Sequence, residues 1–285
     1  HFLVLWEPFL ITLNFRAMTY MKHLITIISL GILCASCEEV VQLDLPNDPP
    51  RLAVDASLQM TPNETLPQLV KLSLSGGFYQ EQNTVVSDAG VQLIDLTNNQ
   101  IFDFTYDVTT ESFQLDFTPS FNIDYKLRVV YDNETYESTT EQLMHCVPID
   151  NLQQGTNTLF EGNEKEVIIS YTDSAERDDF YLFDFGYQLY LATKDEFYQG
   201  NLFSFSYFYD NLETGDEAMI KIMGIDERHF NFMTILIDQT ENGGNPFNTP
   251  PSTVRGNLSN LTNPDHYPVG YFRISETYSA SLILE

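Results

Sequence analysis

The sequence predicts a mainly β fold: an Ig-like β-sandwich over residues 51–150, then a second β-rich domain over 151–285 that carries one packed helix. Three observations predict it. Apolar residues alternate with period two, as in Val70, Leu72 and Leu74 against Lys71, Ser73 and Ser75, and in Tyr125, Leu127 and Val129 against Lys126 and Arg128. Turn chemistry separates such runs, at Gly76-Gly77, Asp88-Ala89-Gly90, Asn98-Asn99 and Asp132-Asn133. Finally, 16 tyrosines and 21 phenylalanines bring aromatics to 13%, and these side chains suit a pleated, half-buried surface.

From the start of the chain, residues 1–20 precede two candidate initiators, Met18 and Met21, and read as an extension of the true start. From Met21-Lys22-His23 a short positive stretch leads into the apolar run Leu24 to Leu33 and then Cys34-Ala35-Ser36-Cys37. That order is a secretory signal peptide, with small residues at the cut. Its apolar run falls well below the roughly 20 residues that span a bilayer. Ala35-Ser36 before Cys37 resembles a lipobox, although Cys34 stands where leucine is usual. Residues 1–36 are thus read as an extension plus a lipoprotein signal peptide, and Cys37 as the lipidated first residue of the exported chain. The alternative is a plain secreted protein whose Cys37 is ordinary.

Residues 37–50 carry acids and prolines, ending Asp44-Leu45-Pro46-Asn47-Asp48-Pro49-Pro50. This is an extended tether. About thirteen residues at ~3.3 Å each reach roughly 40 Å, enough to hold a domain clear of a membrane surface. Glu38-Glu39 directly after the cysteine resembles an acidic surface-sorting signal. The expected location is therefore the outer membrane, lipid-anchored, with the domains facing outward.

In residues 51–150 the strands follow one another with short turns. Strands continue beyond Asn151, at Val167 to Tyr171, Phe180 to Tyr190, Leu202 to Tyr209 and Ala218 to Ile225. One helix is predicted near 227–241, because Asp226 is a good N-cap and Phe230, Met233 and Ile237 recur at helical spacing before Gly243-Gly244. The helix closes one side of the second sheet system. Gly243-Gly244, Pro246, Phe247 and Pro250-Pro251 read as structural turns rather than a ligand site.

The formal net charge of −28 excludes one class of function. A polyanion without a basic stripe is repelled by phosphate backbones, so nucleic acid is not a partner. Once Cys34 leaves with the signal and Cys37 takes lipid, Cys146 has no cysteine to pair with and reads as a buried thiol. Its neighbour His145 points to the opposite face of an extended segment. His229 on the helix is expected at the surface or as a cap, and His145, His229 and His266 lie at no zinc-ligand spacing. No nucleophile elbow, zinc helix or phosphate loop is present. Asp173, Glu176, Asp178 and Asp179 form the densest acidic loop and are the candidate calcium ligands, against the alternative of a solvated turn. No other cofactor is predicted.

Several stretches together resemble one family, the lipoproteins of Bacteroidota catalogued as domain of unknown function 4249. They are Cys37-Glu38-Glu39-Val40-Val41-Gln42-Leu43-Asp44-Leu45-Pro46, Arg51 to Ala56, Tyr171 to Tyr181, and the ordered set Gly244-Asn245-Pro246-Phe247, Gly256-Asn257-Leu258 and Gly270-Tyr271-Phe272. The resemblance implies an envelope lipoprotein without enzymatic activity, with a TonB-dependent receptor or another outer-membrane β-barrel complex as partner. It carries over no functional residue except Cys37. Two other functions stay open: a surface protein that binds glycan or peptide through exposed aromatics, and a surface hydrolase with a carboxylate pair.

Overall fold

A computed structural model describes residues 49–62, 64–76, 83–159, 162–241 and 254–285. Cys37, Glu38, Glu39, most of the tether and the Gly243 to Pro251 turns lie outside them. The described residues are mainly β, with seventeen strands and a single helix.

The first half holds β1 (Leu52–Met60), β2 (Gln68–Leu74), β3 (Thr84–Val85), β4 (Gly90–Asp95), β5 (Gln100–Asp103), β6 (Thr105–Asp107), β7 (Ser112–Leu115), β8 (Tyr125–Tyr131) and β9 (Glu134–Ser138). The second holds β10 (Ile149–Gln154), β11 (Lys165–Thr172), β12 (Phe180–Asp184), β13 (Tyr190–Lys194), β14 (Leu202–Tyr209), β15 (Glu217–Ile225), α1 (Glu227–Glu241), β16 (Leu258–Asn260) and β17 (Val269–Ile283).

Strand order is β13-β12-β15-β17-β1-β2-β7-β6 in one long sheet, with β3 on β2. Two smaller sheets, β16-β9-β8-β4-β5 and β10-β11-β14, supply the second layers. Two cores result. Val54, Leu58, Val70, Leu93, Leu127 and Val129 fill the first, between the β1 and β8 sheets. Val167, Ile169, Tyr171, Tyr181, Phe183 and Ile220 fill the second. Each is a β-sandwich whose inward residues alternate with polar ones, as the period of two requires.

The hairpin between β8 and β9 shows how local chemistry sets the register. Asp132 and Asn133 both take positive φ, at 48° and 61°, which a tight two-residue turn demands and these residue types tolerate. Arg128 then sits opposite Glu137 and pairs with it at 2.7 Å.

The boundary expected at residue 150 does not divide the chain cleanly. The strand β17 is fifteen residues long and serves both sandwiches. Its first half, Val269 to Glu276, runs parallel to β1, and its second half, Thr277 to Ile283, runs antiparallel to β15. Phe272 and Ile274 enter the first core, while Tyr278 and Leu282, on the same face, pack against the second. The short β16 also returns to the first half and pairs with β9. Pairings between residues more than 200 positions apart leave no mark in local periodicity.

At the change of partner lies Glu276. Its Oε2 accepts the Cys146 amide at 2.8 Å and its Oε1 accepts the Tyr278 hydroxyl at 2.9 Å. Cys146 is buried and free, as expected, and burial pushes its thiol pKa well up. His145 stacks on Phe121, with ring centroids 3.9 Å apart, and its Nδ1 lies 3.7 Å from Glu276 Oε2.

The helix begins where expected. Asp226 Oδ1 accepts the His229 amide at 2.8 Å, capping a first-turn donor. It packs Phe230, Met233 and Ile237 against Leu182, Met223 and Ile225 on the outer face of the long sheet, opposite the second core. No described helix is long and apolar enough to cross a membrane.

Candidate functional site

The acidic loop after β11 is a hydrogen-bonded knot rather than a ring of ligands. Asp173 and Asp179 are buried, whereas Glu176 and Asp178 are exposed. The Tyr181 hydroxyl donates to Asp173 Oδ1 at 2.5 Å and to Asp179 Oδ2 at 3.0 Å. Gly200 donates its amide to Asp173 Oδ2, and Arg177 forks onto both oxygens of Asp179 at 3.1 and 3.0 Å. The oxygens of Asp173 and Asp179 that a calcium ion would use are therefore committed to protein donors, and Asp178 accepts from Gln199 at 3.1 Å. Among the described residues, no group of three His, Cys, Asp or Glu side chains is placed to hold a metal. Abundance of acids suggested the calcium candidates; their burial against one arginine and one tyrosine was invisible to spacing.

Two buried carboxylates have raised pKa values. Burial is the main cause for each: Asp195, with Asp173 and Asp179 adding to it, and Glu141. They do not form a facing pair. Asp195 accepts the Asp179 amide at 2.7 Å, while Glu141 accepts from Thr139, Asn257 and Arg228.

The Glu141 cluster ties together two of the stretches that carry the family resemblance. Asn257 donates to Glu141 and also to the Phe272 carbonyl at 2.7 Å, and its Oδ1 accepts the Phe272 amide at 2.9 Å. A side chain on Gly256 would meet the Gly270 carbonyl oxygen, and Gly270 itself takes φ +99° against the Val54 backbone. The two motifs thus lock β16 and β17 to each other. Nearby, Tyr267 is held between Arg51 and Arg255, whose guanidinium carbons lie 3.7 and 3.9 Å from its ring centroid.

The helix histidine departs from expectation. Burial was not foreseen, yet His229 is only 3% exposed, with its ring 4.4 Å from Tyr271 and 5.8 Å from Phe232. Neither ring nitrogen has a hydrogen-bond partner, and the Tyr271 hydroxyl has none either. Burial, with Arg273 close by, lowers the His229 pKa to about 2, so the imidazole is neutral. These groups border a cavity of about 230 Å³ between α1 and the outer face of β17, lined also by Asp55, Leu182, Tyr190, Leu236 and Arg273. The signal that could have found it is the alternation of Tyr271 and Arg273 on the face of β17 away from the core.

Architecture and site define a class first: a double β-sandwich with one helix packed on the outside of the shared sheet. Residues 38–281 match the family described as "Domain of unknown function (DUF4249)", and the chain belongs to that family. No curated protein matches it. Among solved structures it is similar to a DUF4785 family protein from Legionella pneumophila, at 10% identity and TM-score 0.23, over 61% of this chain and 52% of that one. The chain thus spans about half the length of that protein. It is also similar to the chicken interferon gamma receptor alpha chain, at 10% identity and TM-score 0.18, over 62% of this chain and 88% of that one.

Proposed function

We propose that this is a non-enzymatic lipoprotein of the outer membrane, anchored through Cys37 and facing outward, that serves as an accessory subunit of a TonB-dependent receptor or another outer-membrane complex. The observation that carries the reading is positional. The family match begins at Glu38, one residue after the cysteine that the lipobox-like Ala35-Ser36 precedes. An anchor at Cys37 would therefore sit directly before the matched region and hold it through the tether of residues 37–50. The double sandwich suits a scaffold role. One strand, β17, belongs to both halves, so a load taken by one half passes directly to the other.

Metabolic labelling with a palmitate analogue tests the anchor. Wild-type protein takes up the label and Cys37→Ala protein does not; label on Cys37→Ala would refute the assignment. Affinity capture of the native complex from solubilised outer membranes tests the role. A β-barrel receptor recovered in stoichiometric amount supports it, and a wholly monomeric protein contradicts it.

A further inference from the structure

Among the described residues, four buried side-chain polar atoms have no hydrogen-bond partner: Ser57 Oγ, both ring nitrogens of His229, and the Tyr271 hydroxyl. Three of them, both nitrogens of His229 and the hydroxyl of Tyr271, line one cavity, whereas Ser57 lines a separate one. Tyr271 and Arg273 project from the same face of β17, and His229 contacts Tyr271 from the helix. A buried polar group without a partner is costly, so three in one cavity mark a site for something else to bind.

Charge narrows the class. The chain has only 13 Lys and Arg against 41 Asp and Glu, yet Arg273 is the cation that lines this cavity. It donates to Ser275 Oγ at 3.1 Å and, among the described residues, forms no ion pair. Its planar fork is therefore available to a carboxylate. Asp55 stands exposed at the edge of the cavity and, with Asp184 nearby, acts on Arg273 electrostatically, which disfavours a second negative charge on the guest. Phe232, Leu236, Leu182 and Tyr190 supply apolar walls. The 230 Å³ amounts to roughly eight water volumes at ~30 Å³ each, room for a guest of about ten non-hydrogen atoms.

We propose that the cavity between α1 and β17 binds a small organic monocarboxylate with a flat apolar body and a hydroxyl or similar polar group. The carboxylate forks onto Arg273, the body lies against Phe232 and Leu236, and the polar group reaches His229 and Tyr271. Neutral imidazole offers one donor and one acceptor, and the phenol offers either, so a hydroxyl on the guest pairs with one ring nitrogen of His229 and with the Tyr271 hydroxyl. This site is independent of the anchor and of any partner complex.

Calorimetric titration of the full exported chain tests it, with 4-hydroxyphenylacetate, phenylacetate and the neutral 4-hydroxyphenylethanol as probes. The hydroxylated acid binds, and the neutral alcohol binds at least about tenfold more weakly. Arg273→Gln weakens both acids by about tenfold or more. Tyr271→Phe weakens 4-hydroxyphenylacetate about fivefold and leaves phenylacetate unchanged, a split that a merely structural tyrosine does not produce. Should Arg273→Gln prove misfolded by circular dichroism, the Tyr271→Phe split decides. The proposal is overturned if no probe binds at about 10 mM, if acid and alcohol bind equally, or if folded Arg273→Gln binds the acids as wild type does.

Discussion

Asn257 and Phe272 hydrogen-bond to each other twice, the Phe272 amide to Asn257 Oδ1 at 2.9 Å and Asn257 Nδ2 to the Phe272 carbonyl at 2.7 Å. The side chain acts as a strand residue would, capping the stretch of β17 where no neighbouring strand pairs on that side. Asn257→Ala leaves both Phe272 groups unsatisfied and removes a donor from buried Glu141. The expected loss is about 2 kcal/mol, seen as a fall in Tm of about 5 °C by calorimetry. Asn257→Asp fares no better, because a carboxylate cannot donate to the carbonyl and places a second charge beside Glu141.

Gly270 lies in the left-handed region at φ +99°, and a Cβ there would come 2.0 Å from the Val54 carbonyl oxygen. Gly270→Ala must therefore push β17 away from β1 at the pairing that joins the first strand to the last. Chemical denaturation should show at least about 2 kcal/mol of destabilisation. An unchanged midpoint would mean that the β1–β17 pairing contributes little.

Stability should fall with mild acid because of His229. Its folded pKa is about 2, below the ordinary value near 6.5, so the unfolded chain gains a proton that the folded chain refuses. The contribution is intact above pH 6.5 and is lost as pH falls from there toward 2. Between pH 7 and pH 5 the loss is about 2 kcal/mol. His229→Gln removes that slope while the carboxylates keep their own, so denaturation at the two pH values in both proteins isolates it. A wild-type slope no steeper than that of His229→Gln would refute a buried neutral histidine.

The Cys146 thiol should resist alkylation in the folded protein. It is buried, with its pKa pushed up by burial, and Glu276 lies beside its amide. Iodoacetamide should label it about a hundredfold faster in denaturant than under native conditions. Rapid native labelling would show that the junction between the two sandwiches opens readily.

What the sequence revealed was whatever is local. Period-two runs placed β2 and β8, the Asp132-Asn133 pair placed a hairpin, and Asp226 with Phe230, Met233 and Ile237 placed the helix. Each of those signals acts over a few residues, where side-chain direction and turn geometry are decided. The division at residue 150 was upset by β17, a strand that no sequence signal had placed and whose two partners, β1 and β15, come from opposite halves. His229 looked like a surface histidine because helical spacing tells which face it is on, not that Tyr271 and Arg273 await it there. The acidic loop read as a candidate ion site because sequence shows charge but not that Arg177 and Tyr181 take up the oxygens of Asp173 and Asp179.

Protease treatment of intact cells tests the central claim, an outward-facing anchored lipoprotein, most directly. Wild-type protein is expected to be cut on intact cells. Replacing Glu38 and Glu39 by Ala is expected to leave the protein uncut until the cells are lysed, with its thermal stability unchanged, because neither residue belongs to the strands that form the two cores. Wild-type protein that resists protease on intact cells, yet is cut after lysis, would contradict the outward orientation and place its work on the periplasmic side.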